Sequence, residues 1–217
     1  MSNNRYTAAA LTLALAACAS GPGVNKVYDY EISDMSSASR PDWLDSENIV
    51  KMNEQNDGYR YYIGENDNEA SKATKALCRT AAEMKARYDF ASAIETAVKG
   101  AYREVESSSG HSESISVKSN ADLDRALNVD KNIGGAEKYK DYWEQRSHKK
   151  EKGAPKDYKS YYCMALVRMK NETYAGVVQK ASDKMVDSLK LPADVKKEVA
   201  EKAAAAPLPA PSAASVE

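Results

Sequence analysis

Hydrophobic positions along the chain change period several times, and each change marks a boundary. Residues 8 to 17 are almost unbroken Ala and Leu, a run of about ten, too short for the roughly 20 needed to cross a bilayer. With Arg5 before it and no acid, residues 1 to 17 read as a signal peptide. Residues 19 to 40 are Gly, Ser, Asn and Asp with sparse apolar positions and read as a flexible tether, whose r.m.s. reach is roughly 25 Å. The stretch 26 to 57 holds eight acids against three bases and is expected to stay solvated. Pro41-Asp42-Trp43-Leu44 opens the folded domain, with Trp43 as a core plug.

Beyond it the periods become structural. Tyr59-Arg60-Tyr61-Tyr62-Ile63-Gly64 is rich in β-formers and closed by Gly, which predicts a strand. Asn66 with Glu69 resembles a capping box. Ala73, Leu77, Ala81, Met84, Tyr88, Ala91, Ile94, Val98, Ala101 or Tyr102, and Val105 then recur every three or four residues, predicting a long helix over 69 to 105 with a break near Gly100. Residues 106 to 120 are a Ser-rich loop with a short extended piece at Ile115 to Lys118, followed by a brief helix over Ala121 to Leu127. Gly134 to Arg146 reads as a second strand, Ser147 to Asp157 as a charged loop, and Tyr161 to Met169 as a central strand apolar on both faces. A helix at 173 to 190 ends before Pro192, a short Ala-rich helix occupies 193 to 205, and the Pro/Ala/Ser tail 206 to 217 is expected to be disordered.

The order predicts an α+β two-layer domain over 41 to 205, a small and mostly antiparallel sheet covered by the long helix and a second, C-terminal helix. Three strands make a thin sheet. The second apolar face of 161 to 169 then needs another cover, the second helix or another subunit, and this predicts a homo-oligomer or an envelope-protein partner.

Composition removes several function classes. The chain has 31 Lys+Arg against 32 Asp+Glu, a formal net charge of -1, so it offers no global basic field for nucleic acid. Three Cys and two His are too few and scattered for a metal framework, and nothing calls for a cofactor. His111 lies in the Ser-rich loop and His148 in a basic one. A triad of His111, a neighbouring Ser and Glu113 would lack the rigid packing that nucleophilic catalysis needs. Both His are therefore read as solvated, no catalytic residue is assigned, and the chain is expected not to be an enzyme.

The most specific motif is Leu15-Ala16-Ala17-Cys18, which matches the bacterial lipobox. The match identifies Cys18 as the lipid-attachment site and mature N-terminus, with Ala19 behind it permitting transfer to the outer membrane. Several acyl chains, each buried CH₂ contributing about 0.8 kcal/mol, hold such a protein on its membrane. The domain is then expected to face the periplasm. In that oxidising space Cys78 and Cys163 are either bridged or two buried thiols. A helix axis about 10 Å above a sheet, with Cα atoms about 2.3 Å from the axis, leaves about 7.7 Å between helix and strand Cα atoms. Bridged Cα pairs usually lie within about 6.8 Å, and Cys78 is off the helical stripe, so two reduced thiols are the favoured expectation. Arg146, Lys149, Lys150, Lys152 and Lys156 form a concentrated basic patch suited to anionic lipid or an acidic cell-wall polymer.

Pro41-x-Trp43, Tyr61-Tyr62-Ile63-Gly64, the long Ala-rich helix, a strand ending near Trp143, and Ala165-Leu166-Val167-Arg168-Met169 within 161 to 169 together resemble the Lpp-twenty lipoprotein family. Its relatives include flagellar outer-membrane accessory lipoproteins, and the likeness spans about 41 to 190. It implies a small α+β unit and a non-enzymatic part in an outer-membrane or periplasmic assembly, with flagellar association among the roles. A lipid-anchored binding protein for a cell-wall or small-molecule ligand is the alternative.

Overall fold

A computed structural model describes residues 30–55, 57–68, 74–108, 134–190 and 192–208. The expected signal peptide, Cys18, Glu69, His111, the expected extended piece at 115 to 118, the expected helix over 121 to 127 and the end of the tail lie outside the described residues. The elements are β1 (Tyr30–Met35), a 3-10 turn (Asp42–Leu44), α1 (Ser46–Gln55), β2 (Tyr59–Asn68), α2 (Lys75–Ser108), β3 (Glu137–His148), β4 (Tyr158–Lys170), α3 (Asn171–Leu189) and α4 (Ala193–Ala205). The fold is α+β, as expected, with an antiparallel sheet in the order β1-β3-β4-β2.

The sheet has four strands rather than three. Tyr30–Met35, expected within the tether, pairs with β3 from Tyr30 opposite His148 to Met35 opposite Glu144, across a bulge between Ile32 and Asp34. A short, bulged, acidic strand is a common way to finish a sheet edge. The other edge is finished by α1: the Asn53 carboxamide donates to the Tyr61 carbonyl at 3.0 Å and accepts the Tyr61 amide at 2.8 Å, taking the place of a neighbouring strand.

Helix α1 also corrects the expectation of a solvated stretch up to residue 57. The Asp45 carboxylate accepts the Glu47 amide at 3.0 Å, an N-terminal cap. Ile49 then buries almost completely against Tyr61, Ile63, Met164 and Leu166, with Trp43, Leu44 and Met52 packed around them. The second apolar face of β4 is thus covered from within the chain, in a layer separate from α2, α3 and α4.

The opposite face carries the larger core. Tyr62, Val167 and Met169 meet Phe90, Ile94, Val98 and Tyr102 of α2, with Tyr174, Val178 and Met185 of α3 and Val195 and Val199 of α4 closing it. Tyr62, Phe90 and Tyr174 stack in sequence, centroids 5.6 and 6.2 Å apart, an offset arrangement that aromatic quadrupoles favour.

Helix α2 departs from its expected form in three ways. It starts at Lys75, where the Thr74 hydroxyl accepts the Leu77 amide, because Asn66 belongs to β2, which runs on to Asn68. It continues through Gly100 without a break. In its first half the buried stripe is one or two residues on from the expected one: Cys78, Ala82 and Ala86 are buried, whereas Leu77, Met84 and Tyr88 are more than half exposed. From Ala91 onward, expected and observed stripes coincide.

Gly64 explains the shift. A Cβ built on it would lie 2.2 Å from the Ala86 nitrogen and 2.6 Å from the Ala82 carbonyl oxygen, so helix backbone rests directly on strand backbone. Only small side chains fit there, and the large apolar ones turn outward.

Candidate functional site

The same close approach reverses the expectation for the cysteines. Cys78 and Cys163 form a disulfide with Cα atoms 5.8 Å apart, and both are fully buried, packed with Ala82 and Ala165. A Cα separation of that size places the helix axis only about 8 Å above the strand rather than the 10 Å of ordinary layer packing. Trp143 and Tyr161 flank this cluster, and the Lys75 ammonium sits 4.0 Å from the Trp143 ring centroid.

The predicted anionic contact disperses. Arg146 is 8% exposed, on β3 facing α1's side of the sheet, between the rings of Tyr30 and Tyr162 at 4.3 and 4.0 Å. It pairs with Glu144 and Asp67, each at 2.8 Å, and so belongs to the interior rather than to a surface patch. Lys152 pairs with Glu31 of β1 at 2.9 Å and Lys149 with Asp157 at 3.8 Å; Lys150 and Lys156 are exposed at the β3–β4 connection. Neighbouring β1 acid therefore offsets part of the patch. His148 is also corrected. It lies at the end of β3, 5% exposed, with Nε2 at 2.9 Å from the Ser160 hydroxyl and its ring stacked on Tyr158 at 4.3 Å.

Sequence reasoning missed what Arg146 belongs to. Glu144 is fully buried, two positions before Arg146 on the same strand face. It accepts hydrogen bonds from the Tyr142 hydroxyl at 2.9 Å and Arg146 Nε at 2.8 Å, and Arg40 Nε lies 3.3 Å away. A buried carboxylate persists only with such partners. Burial works against the charge on Arg40, but Glu144, with Tyr162, Tyr30 and Tyr142, together outweighs it, and the guanidinium pKa lies above its usual value. Burial, and then the bond to Glu144, raise the Tyr142 phenol. The signal that could have found this network is the alternation Tyr142, Glu144, Arg146, charges on the inward period of a strand.

Beside the network lies an open cleft of about 360 Å³ between the 3-10 turn, the start of α1 and β4. It is lined by Arg40, Asp42, Asp45 and Asn48, with Leu44, Tyr162 and Met164 among the remaining wall residues. The Tyr162 hydroxyl donates to Glu65 at 2.9 Å; burial, then the Glu65 charge, push its pKa upward. Arg40 reaches the cleft with its Nε held by Glu144 and its guanidinium 5.8 Å from the Tyr162 ring centroid.

A second tyrosine-arginine stack closes the far end of this face. Arg168 lies between Tyr59 and Tyr139 at 4.4 and 4.3 Å and bonds Glu137 at 2.7 Å. Four tyrosines, Tyr30, Tyr59, Tyr139 and Tyr162, thus hold guanidinium groups on this one sheet face. Among the described residues no group of three or more His, Cys, Asp and Glu is placed to hold a metal ion, and no helix is long and apolar enough to cross a membrane. Neither protein-family models, curated proteins nor solved structures give a match to the chain.

Proposed function

We propose that the protein is a non-enzymatic, lipid-anchored component of the bacterial cell envelope, held at the outer membrane through Cys18 with its α+β domain on the periplasmic side. The observation that carries this reading is the buried Cys78–Cys163 bridge. Structural disulfides persist in oxidising compartments and are rare in the cytosol, so the bridge agrees with the export that Leu15-Ala16-Ala17-Cys18 implies. The likeness to Lpp-twenty lipoproteins, flagellar relatives included, rests on the short motifs given above and points to the same setting.

The partners in this reading are the membrane, through the lipid, and a second copy or another envelope protein. Its original motive, an uncovered face on β4, is removed by α1; sedimentation of the intact protein decides it. The anchor is tested by feeding cells a labelled fatty acid. Wild type incorporates label and Cys18→Ser does not; label retained by the Ser variant overturns the reading.

A second reading, a lipid-anchored binding protein for a cell-wall or small-molecule ligand, is favoured by the cleft beside Arg40. The two readings are compatible, since an anchored module that binds a ligand needs both features.

A further inference from the structure

We infer that the cleft takes a small zwitterion, a molecule of amino-acid or dipeptide size carrying a free ammonium group and a free carboxylate beside an apolar side chain. This rests on the binding reading above and gives it a ligand class. The first support is how Arg40 is held. Its Nε is committed to Glu144, a carboxylate with no exposure to solvent, and its side chain is 53% exposed where it lines the cleft. A guanidinium held on its inner side by Glu144 and Tyr142 and half exposed at the cleft has the planar fork that suits bidentate pairing with a carboxylate.

The second support is the acidic part of the lining. Asp42 and Asp45 are exposed there, and their backbone is fixed: the Leu44 amide donates to the Pro41 carbonyl and the Asp45 amide to the Asp42 carbonyl. Asn48 adds a further tie, its carboxamide donating to the Asp42 carbonyl at 2.7 Å. A guanidinium and two carboxylates lining one cleft give it both signs of charge, which favours a ligand carrying both over a simple anion or cation. The third support is the apolar portion contributed by Leu44 and Met164. A volume of about 360 Å³ lies at the small end of ligand sites and is matched to one or two residues rather than to a polymer.

The experiment uses the purified full chain in detergent and follows backbone amide shifts on adding L-leucine, L-leucyl-L-leucine, N-acetyl-L-leucine and L-leucine methyl ester. The expected result is saturable shifts at residues 40–48 and 162–164 with leucine or its dipeptide, and binding about tenfold or more weaker for the acetyl and ester forms, each lacking one charge-assisted bond. Asp42→Asn, an exposed change that leaves the fold undisturbed, should reduce leucine binding toward that of N-acetyl-leucine. Arg40→Gln should reduce it toward that of the methyl ester, with a melting curve to check that loss of the Glu144 contact has not unfolded the chain. No saturation by the zwitterions, equal binding of the charge-deleted analogues, or an unchanged Asp42→Asn variant would overturn the inference. Shifts at the same residues with the acetyl or ester form alone would also overturn it while keeping the binding reading. Lipid labelling at Cys18 is unaffected by any of these outcomes.

Discussion

Breaking the Cys78–Cys163 bridge is the perturbation with the largest effect that the structure lets one compute. The bridge spans a sequence separation of 85 residues. In the chain-entropy description, a loop of that length restricts the unfolded chain by about 15 cal/mol/K, or about 4.6 kcal/mol at 25 °C, within the range seen on removing native disulfides. For a domain of this size, each kcal/mol moves the midpoint by about 2 to 4 °C, so reduction should lower Tm by about 9 to 18 °C. The double variant Cys78→Ala/Cys163→Ala should behave alike, because both sulfurs lie among Ala82 and Ala165 and the methyl groups leave only a small void. The assay is differential scanning calorimetry of the purified protein with and without a phosphine reductant. Alkylation in denaturant before any reduction would report the thiols, and none should label. Reduced and oxidised protein melting within about 2 °C of each other, less than about 1 kcal/mol on the same scale, would refute the reasoning.

The close approach at Gly64 has its own test: Gly64→Ala places a methyl group against the backbone of Ala82 and Ala86, at the severe end of overpacking, about 3 kcal/mol. Urea denaturation should show that loss, and an unchanged midpoint would remove the packing explanation of the disulfide. On the alkaline side, burial raises Tyr61, Tyr62 and Tyr102 to about 12. These phenols contribute stability that is complete below their unfolded value near 10 and lost as pH rises toward 12. Absorbance near 295 nm should therefore show some tyrosines ionising only together with loss of near-ultraviolet circular dichroism; reversible titration of every tyrosine near pH 10 in folded protein would contradict this. On the acid side, burial by itself would raise the Glu83 carboxyl, but bonds from Arg87 and Lys138 hold it below the usual range. Its contribution is present above the unfolded value and fades as pH falls through the folded one, so Glu83→Gln should flatten the acid limb of stability measured by denaturant titration between about pH 5 and 3; an acid limb as steep as wild type would reject it.

The parts of the fold legible in the sequence were those with an uninterrupted period. Tyr161 to Met169, the C-terminal helices and the second half of α2 bury large apolar side chains at regular spacing, and they stand where the pattern put them. Legibility failed where burial was carried by small or polar groups. Cys78, Ala82 and Ala86 read as the weaker stripe beside Leu77, Met84 and Tyr88, yet Gly64 makes them the face that fits. Strand β1 and helix α1 were hidden by acids, since Glu31, Asp34, Glu47 and Glu54 point to solvent and conceal the few inward positions such as Ile49. The candidate site was less legible still. Glu144 is stabilised by Arg40 and Arg146, and Arg40 is brought there by a turn whose path no period announces. The proposed anchor rests on a motif that is local and linear, whereas the cleft exists only when residues 40–48 meet β4.

Intact mass measurement of the protein extracted from its own membranes tests the proposed anchor and the oxidised domain at once. The account predicts a chain beginning at Cys18, heavier by a diacylglyceryl group and an amide-linked acyl chain, and lighter by two hydrogens for the Cys78–Cys163 bridge. A chain that begins elsewhere without added lipid, or that carries both cysteines as free thiols, would contradict it.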